Sequence, residues 1–262
     1  MKILIAAALL CVSLFANSLD EIRKSGVIRI GVYNNQPPFS SLTDGKFVGF
    51  EAQLAGKIAK DIFGDNPGKT KFIHIATDKR MSVLEKNEVD MVVATFTPTP
   101  KRAQRVDFSD PYFKVQVGIL AHADDNITSL GQLHQRKIFV IKYSPIHNFL
   151  AKEGFRKNLK FCKSSAKCYH AFKRTKNAVH ADDNLILRAY AIIDNKTKVA
   201  LDGLGNQTFN AIAVQKGNKE LLDFINSDLA QLKKDGFLDK FFDDTLAIHY
   251  RGTVDKKEFL LD

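Results

Sequence analysis

Apolar residues come in two forms along this chain, short continuous runs and longer stretches with a period near 3.6, and the two forms alternate. The runs predict strands covered on both faces, at residues 27–32, 71–76, 91–94, 137–141, 178–182 and 209–214. Phe50, Leu54, Ile58 and Ile62 fall on one stripe with Ala55 and Ala59 beside them, and Leu221, Ile225, Leu229 and Leu232 fall on another. These predict amphipathic helices, the first ended by Gly64 and Pro67. Further helices are expected over 19–24 up to Gly26, over 81–86 after Arg80, and over 130–133, 185–193 and 237–246. Another runs over 145–152, with Ser144 as cap and Pro145 as first residue. Residues 112–123 contain an alternating stretch at 115–120 that Asp124-Asp125-Asn126 breaks, so they read as a crossing into a second unit. Residues 209–214 read as the return after a turn at 204–207. Strands alternating with helices imply an α/β fold, whose ligand crevice is lined by loops at strand carboxyl ends.

A chain of 262 residues, 45% hydrophobic, can bury two cores of ordinary size. The first 18 residues have the form of an export signal: Lys2, an apolar run from Ile3 to Phe15, and Ala16-Asn17-Ser18 as a small-x-small cleavage site before Leu19. The run is shorter than the roughly 20 residues a membrane span needs. Beyond it stand Cys162 and Cys168, close enough for a short-loop disulfide in an oxidising compartment if the segment is a turn. No second pair of ligands stands near them at metal spacing. The formal charge of +10 comes from lysines and arginines scattered over the chain, without a basic run interleaved with aromatics. They read as solvated faces with a mild attraction for anions, not as a nucleic-acid surface.

Candidate chemistry concentrates in residues 89–113. An apolar strand ends there in Thr95, Thr97 and Thr99, alternating with Phe96 and Pro98, before a helix that Thr99 caps and Pro100 begins. Free N–H groups at that helix start, hydroxyls, and the guanidinium of Arg102 one turn in make a carboxylate receptor. Read alone, the same residues are also a capped turn with a solvated arginine. Tyr33, Asn35 and Phe39, in the loop after the first strand, are candidates for the rim or wall of a crevice.

The order Val89-Asp90, apolar strand, Thr95 to Pro100, Arg102, and then Val106-Asp107-Phe108-Ser109-Asp110-Pro111-Tyr112 resembles the family 3 extracellular solute-binding proteins, which collect polar amino acids for ABC importers. The likeness extends over the mature chain. It implies a type II periplasmic binding protein, with each of two lobes a mixed sheet flanked by helices, and with two hinge-crossing strands. Lobe 1 would comprise 19–117 and 212–262, and lobe 2 118–211. The matching positions assign Arg102 to the ligand's α-carboxylate, with Thr95 and Thr97 lending hydroxyl or backbone groups. They assign Asp182, which closes an apolar strand, to the ammonium, with Asp183 a rival one residue away. Relatives carry Gly-Thr-Thr where this chain has Tyr143-Ser144-Pro145. Ser144 keeps a hydroxyl, Pro145 loses an N–H, and Tyr143 is placed to fill part of the pocket.

Arg80 resembles the branch that takes acidic amino acids, cysteine or cystine, either as a partner of the ligand side chain or as a bridge to a neighbouring carboxylate. With Phe96 these residues make up the expected site. The implied protein is a periplasmic monomer, without cofactor or metal and not an enzyme, that passes cysteine, cystine, glutamate or aspartate, then glutamine, to an ABC permease. A dehydratase of prephenate or arogenate type on the same architecture, and an amino-acid sensor or surface antigen without a transport role, are the alternatives. No nucleophile and base at recognisable spacing supports the first; the second needs the same closed lobes as transport.

Overall fold

The computed structural model describes residues 17–261, so the expected export signal lies outside the described residues except for Asn17 and Ser18. Ser18 caps α1 (Leu19–Ser25). Its hydroxyl accepts from the Glu21 N–H while the Glu21 carboxylate accepts from the Ser18 N–H, and Gly26, at φ 64°, ends the helix in the left-handed region. β1 (Val27–Val32) follows. A three-stranded sheet that the sequence did not announce, β2 (Asn35–Gln36), β3 (Ser40–Thr43) and β4 (Lys46–Val48), then turns the chain into α2 (Phe50–Phe63), whose apolar stripe is buried as its period predicts. β5 (Lys69–His74) and β6 (Met91–Val92) both lie parallel to β1, with α3 (Arg80–Glu85) between them; β5 starts two residues before the expected run.

After the single turn α4 (Pro100–Ala103), β7 (Val106–His122) runs from the first lobe into the second. Lobe 2 is built from β8 (Lys137–Ile141), α5 (Pro145–Lys152), β9 (Leu159–Cys162), α6 (Ser165–Lys173), β10 (Ala178–Asp183) and α7 (Asn184–Ile193). β9 and α6 lack a clear apolar period and were not expected. Cys162 ends the strand, Cys168 sits in the helix, and the two are disulfide-bonded with Cα atoms 5.3 Å apart. β11 (Thr197–Gln215) returns antiparallel to β7; the expected turn at 204–207 is a set of register shifts within it. α8 (Lys219–Lys234), α9 (Phe237–Phe241), a π-helical turn (Phe242–Ala247), α10 (Ile248–Tyr250) and a 3-10 turn (Lys256–Glu258) follow, so the helix predicted over 237–246 is interrupted.

The strand order β5-β1-β6-β11-β7-β10-β8-β9 makes a sheet whose middle pair belongs to both lobes. Met91, Val93, Phe113, Ile212 and Val214 enter the core of lobe 1, whereas Val117, Ile119, Ile138, Val140, Val179 and Ala181 form that of lobe 2. Val117 therefore packs with lobe 2, although the expected boundary placed it in lobe 1. α7 lies between lobe 2 strands in sequence, yet Leu185, Ile186 and Ala189 are buried in the lobe 1 core.

Candidate functional site

Each lobe brings a turn to the gap between them. On lobe 1, the chain leaves β6 with Thr95 at φ 40°, and the Thr95 N–H donates to Glu51 Oε1 at 2.6 Å. Glu51 is itself aimed by the start of α2. Gly49 at φ 111° leaves no room for a side chain, since a Cβ would meet Pro38 O at 2.5 Å, and the Phe50 and Glu51 N–H groups donate to the Pro38 and Phe39 carbonyls. Burial pushes the Glu51 carboxyl up to about 7, against hydrogen bonds from Tyr112 and Thr95. Its Oε2 is buried with no hydrogen-bond partner among the described residues.

The two arginines are set in place by carbonyl groups. Arg80 Nε donates to Thr77 O at 3.0 Å, and its Nη1 donates to Ala94 O at 3.1 Å and Thr95 O at 2.8 Å. Of the two roles the sequence left open for Arg80, the structure adds a third, that of holding the turn after β6. Arg102 Nη1 donates to Thr97 O at 2.6 Å. Both guanidiniums lie against the ring of Phe96, Arg80 at 4.4 Å and Arg102 at 5.0 Å from its centroid. Burial, and then the neighbouring charge of Arg80, lower Arg102 to about 9. The helix start expected to offer free N–H groups is shorter and more self-contained than that. α4 has four residues, and the Thr99 hydroxyl accepts the Arg102 N–H at 3.2 Å. What this turn offers to the gap is the guanidinium, not a row of free helix N–H groups.

On lobe 2, Ser144 caps α5 by accepting the His147 N–H at 3.0 Å, and Tyr143 before it holds φ 62° with its side chain at the cleft mouth. The strand β10 delivers both aspartates. Asp182 is occupied: its Oδ2 accepts from Ser165 Oγ at 2.6 Å and lies 3.3 Å from His180 Nε2, and its Oδ1 accepts the Asp183 N–H at 2.9 Å. Asp183 is the carboxylate that feels both Arg80 and Arg102. Burial and then Asp182 push it up to about 7, against those two arginines and a hydrogen bond with Asn210. Asn210, on the crossing strand β11, also accepts from the Thr97 hydroxyl at 3.0 Å and so ties the holders of the two charges together.

Tyr33, Gln36, Thr77, Arg80, Thr95, Thr97 and Arg102 of lobe 1 and Ser144, Ser165, Asp182 and Asp183 of lobe 2 line one narrow space of about 30 Å³. Phe96, Arg102 and Tyr143 line a wider one of about 300 Å³ beside it. Of the expected residues, Asn35 lines a neighbouring space beside Tyr33 and Gln36, and Phe39 is elsewhere. For Phe39 the reason is packing. Its ring meets Phe113 edge-on at 6.1 Å in the lobe 1 core, because the turn into β3 folds it inward over α2. Glu51, Gln36, Thr77, Ser165 and Asn210 were not anticipated. Only Glu51 left a signal, an acid on the same helical face as Ala55, Ile58 and Ile62. Among the described residues no group of three or more His, Cys, Asp or Glu is placed to hold a metal ion.

Two solved structures match nearly the whole chain. The solute receptor for L-cysteine of Neisseria gonorrhoeae has a TM-score of 0.87 at 34% identity, covering 94% of this chain and 100% of that one. The cysteine-binding protein of Campylobacter jejuni has a TM-score of 0.87 at 32% identity, covering 94% and 99%. Both share the two-lobed architecture. Among sequence relatives, the ABC transporter glutamine-binding protein GlnH of Bacillus subtilis is 29% identical over 231 residues, 86% of this chain and 83% of its own. The L-cystine-binding protein TcyJ of Escherichia coli K12 is 25% identical over 229 residues, 84% and 82%. The family model for bacterial extracellular solute-binding proteins, family 3, matches residues 28–245, and with a fold and a cleft of this kind the chain belongs to that family.

Proposed function

We propose that the protein captures a free polar α-amino acid between its lobes and presents it to an ABC permease. The observation that carries this is the shared narrow space, where a guanidinium from one lobe and a carboxylate from the other stand across a gap too small for more than the head group of such a ligand. The ligand's carboxylate would meet Arg102, with Thr95, Thr97 and Ser144 around it. Its ammonium would meet Asp183. Asp182, the residue that the family resemblance pointed to, already has its oxygens engaged by Ser165 and the backbone, and it serves better as a support. Burying a charge costs several kcal/mol unless it is paired and hydrogen-bonded, so a ligand that satisfies both ends favours the closed form.

The named binding partners of similar proteins, cysteine, cystine and glutamine, agree with a ligand drawn from cysteine or cystine, glutamate or aspartate, then glutamine. Export through residues 1–18, a periplasmic location, action as a monomer without cofactor and absence of catalysis complete the reading. The location is supported by the family's extracellular members. Thermal shift against the twenty amino acids and cystine tests the reading. A ligand at a hundred times its Kd adds about 2.7 kcal/mol of stability. No shift with any of them, or an equal shift in Arg102→Ala, would remove the reading.

A further inference from the structure

The wide space beside the head-group pocket is the larger of the two, about 300 Å³ against 30 Å³, and both lobes line it. A CH2SH side chain would leave most of it to water. Its walls are apolar: Phe96 and Met81 on lobe 1, and Ile141, Tyr143 and the Cys162 end of the disulfide on lobe 2. The charged groups around it are unbalanced. Arg80, Lys142 and Lys163 face a single acid, Asp78, once Arg102 is assigned to the α-carboxylate. The Lys142 ammonium is held over the rings of Tyr143 and Phe161, at 4.9 and 5.5 Å, which places it at the mouth. Arg80 gives Nε and Nη1 to carbonyls, and those bonds leave Nη2 for another acceptor.

Tyr143 is the most informative residue here. A non-glycine residue at φ 62° costs roughly 1–2 kcal/mol. The residue remains 70% exposed, so burial within the fold offsets little of that cost. A ligand lying across the ring would offset more. Backbone strain at the lip of a cleft, next to an apolar wall and an excess of cations, is the pattern expected of a residue selected for what binds there.

We infer that the wide space is a side-chain subsite for an α-amino acid whose side chain is long, apolar in its body and anionic at its end, as in a thioether conjugate of cysteine that ends in a carboxylate. This rests on the amino-acid-binding reading and narrows it. The side chain would run along Phe96 and Tyr143, with its terminal anion at Lys142, Lys163 and Arg80. Calorimetry at low ionic strength compares S-(2-carboxyethyl)-L-cysteine with the uncharged S-propyl-L-cysteine, with L-cysteine as reference. The carboxylate should improve affinity at least tenfold, and the double variant Lys142→Ala, Lys163→Ala should cut that preference to about threefold or less, Arg80 supplying what remains. Equal binding of the conjugates by the native protein, a preference for S-propyl-L-cysteine, or a preference that survives undiminished in the double variant would overturn the subsite while leaving cysteine binding intact. Failure of every α-amino acid to bind, L-cysteine included, would overturn the amino-acid-binding reading and the subsite with it.

Discussion

Arg102 is fixed by its own chain before any ligand arrives. One nitrogen is committed to the Thr97 carbonyl and its face rests on Phe96, so its remaining donors are aimed without further loss of side-chain entropy. Arg102→Ala should therefore abolish amino-acid binding in calorimetry and leave the circular dichroism spectrum unchanged, because the residue supports no part of either core. The two aspartates differ in the same terms. Asp183→Asn should lower affinity far more than Asp182→Asn, and equal losses would show that the pair acts as one acceptor. Asp183 also sets a pH dependence. Empty, its carboxyl titrates at about 7, above its ordinary 3.8, while a bound ammonium favours the ionised form. Binding must then expel a proton below pH 7. Affinity should fall by up to tenfold per unit as the pH drops below 7 and level off above it, with proton release measurable by calorimetry in buffers of different ionisation enthalpy.

At the scale of elements, the start of α2 does two jobs. Gly49 lets the Pro38 and Phe39 carbonyls cap the helix in place of a side chain, and this geometry turns Glu51 under the Thr95 N–H. The cost is a buried carboxyl. Its folded value of about 7 stands above the ordinary 4.5, so the neutral form is favoured in the fold and stability is lost as the pH rises between those values. Glu51→Gln keeps a group of the same shape and removes the charge. Between pH 5 and 8 the native protein should lose about 2 kcal/mol that the variant retains, read from denaturant midpoints at each pH. A parallel pH profile for the two would mean that Glu51 stays ionised throughout. In lobe 2 the corresponding element is α6. The disulfide to β9 fixes its first turns and holds Ser165 against Asp182. Its helical stripe is too polar to have been read from sequence, although the cysteine spacing marked the place.

The whole molecule is tied across the gap three times. β7 and β11 are the crossings expected of the family. The third tie is the chain end: the Tyr250 hydroxyl donates to Leu185 O at 2.7 Å, and Arg188 of α7 reaches Glu258 at 3.2 Å. With α7 buried in the lobe 1 core, the lobes should unfold together. Tyr250→Phe leaves the Leu185 carbonyl without its partner and should cost about 1–2 kcal/mol, with a single calorimetric transition retained. Two resolved transitions would show that the lobes unfold independently. The main strands and helices and the caps at Ser144 and Thr99 were legible in the linear chain, because helical and strand periods and capping chemistry are local and need only neighbouring residues. Other features required the packed molecule: Asp183 facing the arginines while Asp182 is tied to Ser165, Phe39 turning into the core, an acid being buried beneath Thr95, and α7 joining the opposite lobe. Each depends on a contact between segments far apart in sequence, and a one-residue change of facing on a strand leaves the pattern of apolar residues almost unaltered.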